Sequence, residues 1–211
     1  MKKPFTLVEV LIAMAVLSVF LLGLMQFYSS TESVLSSGVE RTEMFERARI
    51  AMDMMANDLT CIYYSQTDDD LTPFRYSENS YFEAATVRPE KLNTKARTNI
   101  VGVKYNWNNS KHTLVYSSDT TGDTFDVSSA SFGNDTELVE GVTDFSVKPY
   151  YGEGKKILPA LVVIRMELVD SKTLRRIKAN PSAKENILKN ANKREFRRMV
   201  VIDRGQPKPK L

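Results

Sequence analysis

Glu9 is the residue that most requires a chemical account. It opens onto a run, Val10 to Met25, that carries no charge and is interrupted only by Ser18 and Gly23. A carboxylate in a membrane helix costs about 2.5–3.5 kcal/mol at the helix centre and less toward its end, so such a residue implies a function. A second candidate is Ser118-Asp119-Thr120-Thr121-Gly122-Asp123-Thr124-Phe125-Asp126. Its carboxylates Asp119, Asp123 and Asp126 surround a glycine. Calcium takes about six to eight oxygens from loops of this kind. The spacing is not that of an EF-hand, and a plain hairpin turn selects the same Asp and Gly. Asp68-Asp69-Asp70 is a lesser acidic loop. His112 is the single histidine and Cys61 the single cysteine. The usual general base is therefore scarce and an intrachain disulfide is excluded. His112 alternates with Leu114 and Tyr116. Cys61 closes a helical pattern and reads as a small buried hydrophobe. The chain contains no Gly-x-Ser-x-Gly, no Walker loop, no His-Glu-x-x-His and no Cys-x-x-Cys. We expect no enzyme, no cofactor and, outside the calcium candidate, no metal.

The element that must position Glu9 is the N-terminal segment. Phe5 to Phe27 spans 23 residues. As a helix it measures roughly 34 Å, enough to cross a hydrocarbon core of ~30 Å. Lys2 and Lys3 precede it and should remain cytoplasmic, which places everything after Tyr28 outside. A secretory signal peptide would end in a small-residue cleavage site, and none follows this run well. A plain signal anchor explains the apolar run and the lysines but not Glu9.

Past Tyr28 the helical pattern continues. Phe45, Ala48, Met52, Met55, Leu59 and Ile62 recur at spacings of three and four, with Glu43–Arg47 and Arg49–Asp53 four apart on the polar side. We expect one helix from Phe5 to Cys61; the alternative is a break at Ser36-Ser37-Gly38. Residues 71–98 read as loop with short elements. Val101, Val103, Tyr105 and Trp107 alternate as a strand. Asn108-Asn109-Ser110 is a turn, and Thr113 to Tyr116 completes a hairpin. Phe125 and Val127 open a third strand, and Val142 to Tyr150 forms another. In the strand Ala160–Val169, Val162, Ile164, Met166 and Leu168 face one way and Arg165 and Glu167 the other. Phe196–Ile202 is the last strand and should pair with it. Residues 181–193 suggest a short helix between these two.

The stretch Pro4-Phe5-Thr6-Leu7-Val8-Glu9-Val10-Leu11-Ile12-Ala13 resembles the processing signal of type IV pilins and type II secretion pseudopilins. The resemblance implies that a prepilin peptidase cuts between Pro4 and Phe5 and methylates the new amine of Phe5. It makes Glu9 the glutamate that directs assembly. The chain departs from the family at Pro4, where glycine is usual; proline lacks an N–H and has a fixed φ. Leu138 to Phe145 and Leu158 to Leu168, with Leu158-Pro159 before the long strand, resemble the J-type minor pseudopilin, as does Met52 to Leu59. The implied fold is α+β and pilin-like: a long N-terminal helix, transmembrane in its first half, packed on antiparallel sheet. The implied organisation is a leader over 1–4, a membrane and assembly helix over 5–28, an amphipathic continuation over 29–62, a periplasmic domain over 63–205 and a tail over 206–211.

Charge is divided unevenly. Of 29 basic and 26 acidic residues, 13 and 3 fall within 172–211, so the first 171 residues carry 16 and 23, a net of −7. Such a basic end attracts nucleic acid, anionic lipid or acidic protein. Its single aromatic, Phe196, argues against single-strand binding, which interleaves stacking rings with charge. Nucleic acid is not expected as a partner. The expected function is that of a minor pseudopilin at the tip of a type II secretion pseudopilus, a non-enzymatic subunit supporting protein export. The expected partners are other minor pseudopilins and the major pseudopilin. The expected location is the bacterial inner membrane, crossed once, with the globular part periplasmic. The alternative is a minor pilin of a type IV pilus or competence fibre; a signal-anchored periplasmic enzyme is a third, without a visible active site. Mass spectrometry of the membrane-extracted protein should show a chain that begins at Phe5 with a methylated amine, cleaved faster in Pro4→Gly. An intact Met1 start in cells that carry the peptidase rules the processing out.

Overall fold

A computed structural model describes residues 6–64, 71–87, 100–119, 126–151 and 158–202. Pro4, Phe5, Asp68 to Asp70, Asp123, Phe125 and the 206–211 tail lie outside them. By its contacts the chain divides into two units, Met1–Glu43 and Met44–Leu211.

Helix α1, Leu7–Thr60, is continuous. This is the single helix expected, and the alternative break at Ser36-Ser37-Gly38 does not occur; Ser37 Oγ donates to the Ser33 carbonyl at 2.8 Å and Thr42 Oγ1 to that of Gly38 at 3.0 Å. Within the second unit the stripe is buried as its spacing requires. Ala48, Met52, Met55 and Leu59 are buried, joined by Met44, Ala51 and Ala56. Phe45 is only half-buried, and its ring lies 6.1 Å from that of Phe196. Ile62, just past the helix, is buried as well. Cys61 is not a buried hydrophobe but half-exposed. Its carbonyl accepts the Val87 N–H at 2.8 Å, so the position serves through its backbone.

Strands β1 (Phe74–Ser77), β2 (Tyr81–Val87), β3 (Ile100–Asn108), β4 (Thr113–Asp119) and β5 (Phe132–Glu140) form an antiparallel sheet in chain order. Strands β6 (Val142–Tyr150), β7 (Leu161–Val169) and β8 (Lys193–Val201) form a second. The expected hairpin is β3–β4 and the expected terminal pair is β7–β8. Val162, Ile164, Met166 and Leu168 are all buried. Both sheets contribute to one core around the second half of α1, through Phe82, Tyr105 and Leu114 on one side and Phe145, Ile164 and Met166 on the other. The pairing of a long helix with antiparallel sheets is an α+β, pilin-like architecture.

Three expectations need correction. Of the stretch 71–98, read as loop with short elements, residues 71–87 form the paired strands β1 and β2, and 88–98 lie outside the described residues. Glu83 broke the apolar pattern of β2, yet it is wholly buried. The register sets Arg75, Glu83 and Lys104 in one row across three strands, with ion pairs of 2.6 and 3.0 Å; a paired carboxylate is tolerated inside where a lone one is not. Val127 lies in a turn, not a strand, and the strand is β5. Val127 is nonetheless buried against Ala85 and Ile100, so its apolar signal recorded burial. The short helix expected within 181–193 is present as a 3₁₀ turn at Pro181–Ala183 and α3, Lys184–Lys189, but helical structure between the two strands already begins with α2, Ser171–Ala179. The Asp170 carboxylate accepts the Thr173 N–H at 2.8 Å, an N-cap.

One residue, Gly141, joins the two sheets. Its φ is +80°, and a Cβ there would lie 2.8 Å from the Val169 carbonyl oxygen. Only glycine takes that backbone without strain. Gly141→Ala should destabilise the second unit by about 1–3 kcal/mol, seen as a lower denaturant midpoint by near-UV circular dichroism. Gly38→Ala, with open space around the new methyl, should cause no loss.

Candidate assembly site

In the first unit the large apolar residues of α1 are all exposed, from Leu7 and Val8 through Phe20 and Leu24 to Phe27 and Tyr28. Fully burying each such side chain is worth about 1.5–3 kcal/mol. So much apolar surface requires lipid or neighbouring helices, and the segment is a candidate membrane span by length and composition. Two hydroxyls of this unit are satisfied within the helix. Ser18 Oγ donates to the Met14 carbonyl at 2.8 Å and Thr31 Oγ1 to that of Phe27 at 2.9 Å, which removes the cost of carrying them into lipid.

At the start of α1 the structure gives Glu9 a role that the sequence reading missed. The Thr6 N–H and hydroxyl donate to Glu9 Oε2 at 2.9 and 3.1 Å, and Thr6 Oγ1 accepts the Glu9 N–H at 3.3 Å. This is a capping box, in which residues three apart satisfy each other's orphan amides. Its signature in the sequence is Thr-x-x-Glu ahead of an apolar run. Glu9 therefore has a local reason to stand one turn into the helix, and its charge is held at the helix start, where the macrodipole favours an anion.

Of the calcium candidates, Asp119 and Asp126 are among the described residues and Asp123 is not. Asp119 ends β4 opposite Phe132. Asp126 closes a turn of its own: its carboxylate accepts the Ser128 N–H at 2.9 Å and the Ser128 hydroxyl at 2.7 Å. Partial burial works against that charge, but the bonds from Ser128 and Thr72 and the nearby Arg75 outweigh it and hold the Asp126 carboxyl below the usual range. Among the described residues no group of three or more His, Cys, Asp or Glu could hold a metal.

His112 is buried and sits in the β3–β4 turn rather than in a strand, with φ of 57°. Its carbonyl accepts the Val142 N–H at 3.0 Å. Its Nδ1 lies 3.3 Å from the Val142 carbonyl oxygen, a hydrogen bond when Nδ1 carries the proton. Trp107 Nε1 donates to the same oxygen at 3.2 Å. The imidazole thus ties the hairpin turn to the start of β6, a structural duty.

No protein-family model matches the chain. Over 59 residues it is 41% identical to the pilin-like protein PilA3 of Thermus thermophilus, a stretch covering 28% of this chain and 25% of that protein. The chain thus spans about a quarter of the length of the curated relative it matches. This local likeness supports a relation to the type IV pilin-like proteins.

Burial, reinforced by Lys184 and Lys178 and opposed by the Val142 carbonyl, holds the His112 pKa below its ordinary value of 6.5. The unfolded chain then binds the proton more readily, so stability is full above pH 6.5 and falls as the pH drops below it. The melting temperature of the second unit's transition should fall between pH 7 and pH 5 more steeply in the parent than in His112→Asn, a residue that tolerates the positive φ.

Proposed function

We propose that the chain is a non-enzymatic subunit of a pilus-like fibre, and more narrowly a minor pseudopilin of J type in a type II secretion pseudopilus, placed at the tip. The observation that carries this reading is the division of one continuous helix. Its first half is apolar and uncovered, and its second half is the buried spine of two sheets. A subunit of this kind is held in the inner membrane until it is extracted into a fibre, where neighbouring helices replace lipid. In this reading residues 1–4 are the leader, Phe5 the methylated start, 5–28 the membrane and assembly segment and 29–62 its continuation. Residues 63–205 are the periplasmic domain and 206–211 the tail. Lys2 and Lys3 remain in the cytoplasm. The partners are the major pseudopilin, other minor pseudopilins and the prepilin peptidase.

Glu9 would set the register of assembly. In lipid a carboxylate seeks a cation or a proton. Cleavage before Phe5 creates an amine, and side-by-side packing lets Glu9 of one subunit meet the amine of the next. Apolar contact alone is non-directional and allows sliding; a charge pair favours one stagger.

A second reading, a minor pilin of a type IV pilus or competence fibre, is favoured by the likeness to a pilin-like protein. The two part on phenotype. Deletion of a pseudopilin abolishes export of secreted proteins to the medium and leaves surface fibres; deletion of a minor pilin does the reverse.

The capping box shapes the test of Glu9. Glu9→Gln keeps an acceptor for the Thr6 amide but removes the charge, whereas Glu9→Val removes both. Both variants should insert in membranes and keep a folded second unit, and both should lose co-purification with partner subunits, with Glu9→Asp intermediate. If Glu9→Gln captures partners as well as the parent does, Glu9 is a helix cap alone and the charge mechanism is wrong.

A further inference from the structure

Strand β8 lies at the edge of its sheet, and among the described residues it pairs with β7 alone. The Ile202 N–H donates to Ala160 and the Val169 N–H to Gly141. These two bonds set the phase of the ladder. Even-numbered residues of β8 bond to β7, while the N–H and C=O groups of Lys193, Glu195, Arg197, Met199 and Val201 point away from it. Natural sheets seldom leave nine residues of edge open.

The side chains along this edge are sorted. Four of the first six residues are cations, Lys193, Arg194, Arg197 and Arg198, against Glu195. Several already have work: Lys193 pairs with Glu167 and Arg198 with Asp53, while Arg194 lies over the rings of Phe45 and Phe196. Arg197 lies directly opposite Arg165. The far end is apolar. Met199 and Val201 are 60% and 63% exposed, and Tyr150, in the row of Leu161 and Val201, is 53% exposed. Helix α2, which leads into this region, adds exposed Lys172, Arg176 and Lys178.

We propose that the β8 edge docks an extended acidic segment of a partner protein, which adds to the sheet as a fourth strand. Main-chain hydrogen bonds supply affinity in such strand addition, and side chains at alternate positions supply specificity. Charge chooses the occupant. A second copy of β8, antiparallel and in full register, would set Arg197 directly opposite its own copy, which is destabilising across strands, and would leave Lys193 and Arg194 facing Val201 and Val200 with no opposite charge. An acidic strand meets Lys193 to Arg198, and its apolar end covers Met199 and Val201. An antiparallel guest therefore runs from an apolar N-terminal half to an acidic C-terminal half. The proposal is independent of the fibre reading, because the site lies wholly within the second unit.

The test uses the full chain in detergent micelles and a fluorescent peptide about nine residues long, the length of β8, with Val and Ile first and Glu and Asp last. Anisotropy should show binding that a Lys-for-Glu peptide lacks. N-methylation of the peptide amides that face β8 should weaken binding at least fivefold to tenfold, roughly the worth of one hydrogen bond, while N-methylation at the alternate amides should not. Met199→Pro removes an outward N–H and no ladder bond, so it should weaken binding to a similar extent and leave the circular dichroism of the protein unchanged. Equal binding of the two N-methylated peptides reduces the effect to bulk charge and overturns the proposal. So does an absence of peptide binding, or a self-association of the chain that Met199→Pro abolishes.

Discussion

Ala48, Met55 and Leu59 are wholly buried, and the second unit is arranged around them. Residues of both sheets pack on this helix stripe in one cluster. Ala48, Ala51 and Ala56 and the adaptable side chains of Met44, Met52 and Met55 all belong to the one buried cluster that the helix shares with both sheets. One polar bond is built into this contact. Tyr105 Oη donates to the buried Asp58 carboxylate at 2.6 Å. A hydrogen bond to a charged group is worth about 1.5–3 kcal/mol and is directional, so it sets the rotation of the helix over β3 where apolar contact would allow several.

The junction between the sheets follows from the same need. Because β5 and β6 must each reach the helix, the chain turns within a single residue, Gly141. The Val142 carbonyl then collects the Trp107 indole and the His112 imidazole, and the Val147 N–H donates to the Glu78 carbonyl at 2.8 Å. Backbone groups that a sharp corner would leave unpaired are satisfied by side chains from the hairpin turn, as buried polar groups require.

The first half of α1 obeys a different rule. In lipid every backbone amide must bond within its own segment, so the free amides at the helix start become costly. The Thr6–Glu9 box removes part of that cost with a charge that a plain anchor would not carry. The proposed assembly role of Glu9 is compatible with capping, because its Oε2 takes the Thr6 bonds.

Much of this was legible in the residues themselves. The long helix, its apolar first half, its buried stripe and the strands β3, β4, β6, β7 and β8 follow from period 3.6 and period 2, because these patterns record which side chains must leave water. The capping box is equally local, since Thr6 and Glu9 stand three residues apart ahead of the apolar run. What the tertiary structure alone decided are features whose reason lies far away in the chain. Strand β2 exists despite Glu83 because Arg75 and Lys104 flank it in register. Val127 is buried without being a strand, because Ala85 and Ile100 reach it. His112 is placed by Val142, thirty residues on. Periodicity reports the demand of each segment for burial; which distant group meets that demand is decided only when the sheets close on the helix.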